Sequence, residues 1–288
     1  MDLTPIFYQI FIGLYRASIY WLIASGLTII FGVLRVVNFS QAVFLVLGGY
    51  LAYAFYYGFT GSFLLSVLLA SLCVGIIGVA VEILLLKPLY KIDVTYQLLM
   101  TFAVSLIIND ATKILWGKLP VSIPLPEALG MGVNILGRTY PLYIILMILT
   151  GLLIYASVTV LINRTMWGLR VRATWRRPEI AESIGINTSI IYTSVFFLGS
   201  FIAGLGGSLM VAFSPVAPGL GDFLIVSAFI VTVIAGLGHL TGAYIASIII
   251  GISESLFTLY VPEIDLLLIY LIMAVSLLIR PQGILGER

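Results

Sequence analysis

The chain has 288 residues, of which 61% are hydrophobic and only 9% charged, with a mean hydropathy of +1.19. Soluble domains carry about 25% charged residues, so a water-solvated surface is excluded and the chain is an integral membrane protein. The net charge of +2 says little, because in a membrane chain the position of charge matters more than its sum. The single cysteine, Cys73, excludes an internal disulfide. No basic segment precedes the first apolar run, which is long enough to span, so a cleavable signal peptide is not expected.

A membrane-crossing helix needs about 20 mostly apolar residues, and on that rule the sequence divides into nine candidate spans. The first runs from Phe7 to Phe31, the second from Ala42 to Tyr57 and the third from Phe63 to Leu86. The fourth, Thr95 to Trp116, is more polar. Leu142 to Ile162 and Ser189 to Phe213 follow. The long run Phe223 to Tyr260 supplies two more, broken near Gly236-Leu237-Gly238-His239, and Ile264 to Ile279 is the last. None of these runs alternates as the strands of a membrane β-barrel do. The expected fold is all-α, a polytopic transmembrane bundle of about 8–10 spans.

Lysine and arginine in short loops set orientation. Arg35 follows the first span, Lys87 and Lys91 the third, and Arg164, Arg170, Arg172, Arg176 and Arg177 the fifth. Arg280 and Arg288 close the chain. With alternating spans all of these fall on one side and only Lys118 and Arg138 on the other. The N-terminus is therefore expected outside and the C-terminus in the cytoplasm. Two connections are longer than turns: an external one, 117–140, with Pro120, Pro124 and Pro126, and a cytoplasmic one, 163–188.

Ionisable residues within spans are expensive and need a reason. Arg16, midway along the first span, is expected to snorkel or to pair with an acid, with an aqueous path as the functional alternative. Asp110 and Lys113 are three apart on a helix and able to pair. Glu82 is expected to meet Lys87 or the membrane interface. Glu254, between Ser253 and Ser255, reads as a packing and hydrogen-bonding residue. The stretch Asn38 to Gln41 reads either as a plain inner turn or as a break inside a membrane helix that lines a path, as in discontinuous transporter helices. The 28 glycines are read chiefly as a packing signal, with Gly204 to Ser208 and Gly236 to Gly238 bringing helices together.

The cytoplasmic connection has internal order. Pro178 suits the first position of a helix, Glu179 and Glu182 lie near its positive end, Ile180 and Ile184 share a face, and Gly185 suits a left-handed terminator. A helix of about two turns is unstable alone, so a partner is expected against its apolar face. Glu179-Ile180-Ala181, three residues and then Gly185 resembles the Glu-Ala-Ala-x-x-x-Gly signature of ABC importer permeases, with Ile180 at the second position.

The resemblance extends along the chain. Residues Phe31 to Ser40, the set Glu82, Lys87 and Pro88, and the loop motifs Met166-Trp167-Gly168, Arg172-Ala173 and Gly185-Ile186-Asn187 are similar to those of the branched-chain amino acid permeases of the Liv type. So are Gly236-Leu237-Gly238 with Gly242-Ala243, and Arg280-Pro281-Gln282-Gly283. Departures are Ser40-Gln41-Ala42, where the family usually has Ala-His-Gly, and His239, where a small residue is common. The resemblance implies a single permease domain over 1–288, the translocation subunit of a binding-protein-dependent importer. It implies a second, homologous or identical permease, two cytoplasmic ATP-binding subunits, an external solute-binding protein and a cell-membrane location. On the matching positions it implies ATPase coupling at Arg172, Glu179, Ala181 and Gly185. A translocation path is expected at Asn38, Phe39, Ser40 and Asn109. Relatives carry branched-chain or other amino acids, amides or urea.

No Gly-x-x-x-x-Gly-Lys-Ser/Thr run occurs, and one His with one Cys leaves no zinc cluster or His-containing triad. Neither an enzyme, nor a cofactor or metal, nor a nucleic-acid partner is expected. The competing function is an ion-coupled secondary transporter using Arg16, Glu82, Asp110 and Glu254. A channel is the third class, and no filter motif supports it.

Overall fold

The computed structural model describes residues 4–90, 92–135, 138–260, 265–280 and 283–284. Seven helices are long and apolar enough to cross a membrane: Ile6–Leu34, Gln41–Thr60, Phe63–Leu89, Val94–Trp116, Leu142–Arg164, Thr188–Met210 and Leu240–Leu259. Two further apolar helices, Leu220–Ala235 and Leu268–Ile279, are shorter. These nine correspond one to one with the spans expected from the sequence. In chain order the helices are α1 (Thr4–Leu34), α2 (Gln41–Phe55), α3 (Phe63–Val81), α4 (Val94–Trp116), α5 (Glu127–Gly130), α6 (Leu142–Arg164), α7 (Met166–Arg176), α8 (Pro178–Ser183), α9 (Thr188–Met210), α10 (Leu220–Ala235), α11 (Leu240–Tyr260) and α12 (Asp265–Ile279). Wider π-helical turns prolong α2 and α3.

The bundle is built around α1, whose residues Trp21, Leu22, Ile23 and Ala24 are wholly buried. Lipid offers no hydrophobic drive between helices, so close backbone approach holds them together. Gly13 lets α1 meet α11: a Cβ there would lie 2.7 Å from the Ile252 Cα. Gly48 and Gly207 do the same between α2 and α9, where a Cβ would strike the Gly204 and Leu45 carbonyls. The Gly204 to Ser208 run thus packs helices as expected. Gly236 and Gly238, at φ of +91° and +88°, form the α10–α11 turn, and Gly238 also packs on Gly32 of α1.

The two ends of the bundle differ in charge. Arg35, Arg176 and Arg177 line one cleft with Tyr192, and Tyr192 contacts Tyr90 just past Lys87. Arg164 ends α6, and Arg280 bonds the Ile284 carbonyl beside the α10–α11 turn, where the Ile284 N–H donates to Ile234. Lys91, Pro281, Gln282 and Arg288 lie outside the described residues. The opposite end carries the 117–140 connection as a cap. The cap contains α5 and a small antiparallel hairpin, β1 (Gly132–Ile135) with β2 (Arg138–Pro141). It is stitched down by a Val121–Val216 bridge and by Tyr140 packed on Tyr8 and Phe11 of α1. The hairpin is the one departure from an all-helical reading among the described residues.

Candidate functional site: a helix break and a docking loop

Two places depart from plain bundle packing, and they hold the residues expected to act except Asn109, which lies on α4. The first is the connection between α1 and α2. Arg35 ends α1 at φ +56°, with its N–H on the Phe31 carbonyl. That left-handed conformation costs a non-glycine residue about 1–2 kcal/mol and turns the chain back into the bundle instead of out of it. Residues 35–38 run without regular structure, and α2 begins only at Gln41. The Gln41 Nε2 donates to the carbonyl of Gly199, the middle residue of α9, at 2.7 Å. The start of α2 therefore lies beside the middle of α9 and not at the end of the bundle.

The break is held by its own polar groups. Asn38, Ser40 and Gln41 are wholly buried. The Asn38 Oδ1 accepts from the Ser40 N–H at 3.1 Å and from the Ser40 hydroxyl at 2.5 Å, while its Nδ2 donates to Gln41 Oε1 at 3.2 Å. Phe39 is half-buried, its ring on Phe229 of α10 and its N–H on Thr101 Oγ1 of α4 at 3.2 Å. Beside this break lies a second one. Between α9 and α10 the chain descends from the cap, and Asn109 Oδ1 accepts the Gly219 N–H at 2.8 Å just before α10 begins. Gly221 then packs on Val43 at the start of α2. The amino-terminal ends of α2 and α10 thus meet inside the bundle, and α4 clamps both, through Thr101 and through Asn109.

The clamp was readable in part. Along α4 the polar residues Gln97, Thr101, Ser105, Asn109 and Thr112 recur at helical spacing and all are buried, while Leu99, Phe102, Leu106 and Ile107 face outward. Sequence reasoning singled out Asn109 but missed the stripe. It also missed Asp222, exposed in the first turn of α10.

The ionisable groups within spans have partners. Arg16 meets Glu254 at 3.0 Å, and Tyr20 donates to the other Glu254 oxygen at 2.6 Å. This is the expected pairing with an acid. Asp110 and Lys113 pair at 2.9 Å on the exposed face of α4. Glu82 corrects its expectation: it is wholly buried and accepts from Tyr90 (2.6 Å) and Thr193 (2.7 Å), not from Lys87. The π-helical turn at Glu82–Leu86 shifts the register, so the carboxylate faces α9. Removing one member of a buried pair strands the other charge, so Arg16→Met is expected to lower the melting temperature in detergent more than the double variant Arg16→Met/Glu254→Met.

The second place is the connection 163–188 at the basic end. It holds two helices where the sequence suggested one. α7 is an 11-residue helix that runs along the bundle. Thr165 caps it by accepting the Gly168 N–H at 3.0 Å, and Gly168 lies so close under α6 that any side chain would strike the Leu161 and Ile162 carbonyls. Trp167 fastens it to α9 through Ser194 at 2.9 Å. These contacts explain Met166-Trp167-Gly168 physically. Arg172 is half-buried, and its guanidinium donates to the Ile162 carbonyl at the end of α6. It fixes α7 in place rather than reaching out, whereas Arg176 and Arg177 are exposed.

α8 then presents its outer face. Ala181 is buried, Glu179 is exposed, and Ile180 and Ile184 are 50% and 69% exposed. Gly185, at φ +88°, ends the helix: its N–H bonds the Glu182 carbonyl at 2.9 Å and the Ile186 N–H bonds the Ala181 carbonyl at 3.0 Å. That pair of bonds defines the Schellman terminator. The Asn187 side chain then accepts the Ile190 N–H and caps α9. Gly185 and Ile186 thus close α8 and Asn187 opens α9, while Thr188 at the start of α9 donates its hydroxyl to Glu182 of α8. Near α4, Thr95, through its hydroxyl and then its N–H, holds the Asp93 carboxylate below the usual range.

Residues 9–277 match the family described as the permease component of branched-chain amino acid transport systems. The probable branched-chain amino acid transport permease protein LivH of Methanocaldococcus jannaschii is 30% identical over 279 residues, covering 92% of this chain and 88% of that protein. The high-affinity branched-chain amino acid transport system permease protein LivH of Escherichia coli K12 is 25% identical over 293 residues, covering 97% and 95%. The corresponding protein BraD of Pseudomonas aeruginosa is 25% identical over 292 residues, with the same coverage. No solved structure gives a significant match. The chain is a multi-pass membrane protein and belongs to the family of branched-chain amino acid transport permeases.

Proposed function

We propose that this chain is the non-catalytic translocation subunit of an ATP-driven importer for branched-chain or related amino acids. It works with a second permease, two ATP-binding subunits and an external binding protein, in the cell membrane with its basic end and C-terminus in the cytoplasm. The observation that carries the mechanical part is α8: a short helix at the basic end, braced by Ala181 and its terminator, with Ile180 and Ile184 exposed. An isolated helix of this length does not hold itself, and two exposed isoleucines beside Glu179 suit a protein cleft. The substrate class rests on the relatives.

In this reading Glu179, Ala181 and Gly185 form the docking element, with Arg172 as the residue that fixes α7 beneath it. ATP-driven closure of the partners pushes α8, and the rigid α7–α8–α9 connection passes the displacement to the bundle. The paired breaks at Phe39 and Gly219 are the path. Asn38, Ser40 and Asn109 position the helix ends, whose N–H groups favour a carboxylate. The ion-coupled alternative finds less support, because Arg16, Glu82, Asp110 and Glu254 are all engaged within the chain.

The test is purification from the native membrane followed by reconstitution. P-loop ATPases and a sibling permease are expected to co-purify, and leucine uptake into liposomes is expected to require ATP and the binding protein. Gradient-driven uptake by this chain alone would overturn the reading.

A further inference from the structure

Glu82 is wholly buried at the end of α3, and neither helix break uses it. Taking a carboxyl out of water is expensive, so its neighbours decide what it does. Its two oxygens accept from hydroxyls on separate elements: Oε1 from Tyr90 at 2.6 Å and Oε2 from Thr193 of α9 at 2.7 Å. The Tyr90 ring also packs edge-on against Tyr192 of α9, with centroids 5.4 Å apart. The π-helical turn Glu82–Leu86 aims the carboxyl this way, and such turns are frequent at functional sites. Merely fastening α3 to α9 would not require it. Glycine packing already does so: a Cβ on Gly78 would strike the Ser200 side chain, and one on Gly75 the Phe197 ring.

The groups on either side of Glu82 form a continuous series. Thr193 lies in the second turn of α9, whose first residue, Thr188, donates its hydroxyl to Glu182 of α8. On the other side, Tyr90 follows Leu89, whose carbonyl accepts from Gln97 Nε2 of α4 at 3.0 Å, and the same amide donates to the Ile92 carbonyl at 3.3 Å. Gln97 lies one helical turn from Thr101 on the buried face of α4. Thr101 Oγ1 accepts the Phe39 N–H and donates to the Val37 carbonyl at 3.3 Å. Glu82 thus joins the α8–α9 corner to the helix that clamps the break at Phe39.

We infer that Glu82 is a positioning residue for coupling, which passes movement of α8 through Tyr90 to α4 and so to the start of α2. The inference rests on the reading of α8 as the element that the ATP-binding subunits move. A carboxyl suits the task because two acceptor oxygens on one rigid group hold both hydroxyls at a fixed separation. In the interior such bonds are stronger than in water. Displacement of α9 at Thr193 then carries the 87–93 connection with it instead of sliding past.

The test uses the complete transporter in proteoliposomes, with leucine uptake and ATP hydrolysis read together. Glu82→Leu is expected to lower the leucine carried per ATP about tenfold, and hydrolysis should no longer respond to loaded binding protein. Glu82→Gln is expected to restore most of the coupling. Its amide oxygen accepts from Tyr90, and its N–H donates to Thr193, whose hydroxyl turns to the Ser189 carbonyl that it already reaches at 3.1 Å. Thr193→Val and Tyr90→Phe each cut one arm. Adding either to Glu82→Leu is expected to bring no further loss, because members of one network are not additive. A purely structural role predicts instead a lower yield and melting temperature, with each assembled transporter carrying leucine at the wild-type ratio. That result, or losses that add, would overturn the relay. If Glu82→Leu does not assemble, Tyr90→Phe/Thr193→Val decides by the same ratio. Tight coupling in Gly185→Val would overturn the role of α8 and the relay with it, whereas uncoupling in Gly185→Val but not in Glu82→Leu would overturn the relay alone.

Discussion

Gly185→Val is expected to cut ATP-driven uptake at least tenfold while the bundle stays folded. At φ +88° the position is one that a β-branched residue reaches only with strain. No atom lies within 4 Å of a Cβ placed there, so the effect is conformational and not steric. Losing the left-handed turn removes the bonds to Glu182 and Ala181 and lets α8 swing free of α9. ATP hydrolysis by the partners should then continue without responding to loaded binding protein. Gly185→Asn is expected to keep most of the activity, because asparagine tolerates the left-handed region. Paired uptake and hydrolysis rates in proteoliposomes decide it: tight coupling in the valine variant would remove α8 from the mechanism.

Asn38→Leu is expected to abolish uptake for a different reason. The leucine fills the space but leaves the Ser40 N–H, its hydroxyl and the Gln41 Oε1 short of partners in the interior. Each such buried group costs about 1–3 kcal/mol, so the start of α2 should shift and the melting temperature should fall. Asn38→Asp keeps both bonds from Ser40 but buries a carboxylate whose second oxygen faces the acceptor Gln41 Oε1, so it should retain only partial uptake. Normal transport by the leucine variant would mean that the break plays no part in the path.

The membrane class, the spans, and the separation of basic from capped end were legible in composition and in the placement of Lys and Arg. The short helix α8 was legible as well, because Pro178, the spacing of Ile180 and Ile184, and Gly185 are local signals whose physics needs nothing distant. The pairing of Asp110 with Lys113 follows from helical spacing in the same way. Less of the candidate path could be read. Asn38 to Gln41 admitted two readings, and Glu82 was assigned to the wrong neighbour because a π-helical turn changes which face it occupies.

What the sequence by itself determined is therefore whatever depends on neighbours within a turn or two: helix content, terminators, caps and the sidedness of charge. Tertiary structure alone decided that α2 starts beside the middle of α9, that α4 clamps two breaks through Thr101 and Asn109, and that Arg16 finds Glu254 some 238 positions away. The physical reason is that a buried polar group takes whichever partner the packing brings within about 3 Å, and in a membrane bundle that packing is set by close glycine contacts between helices far apart in the chain.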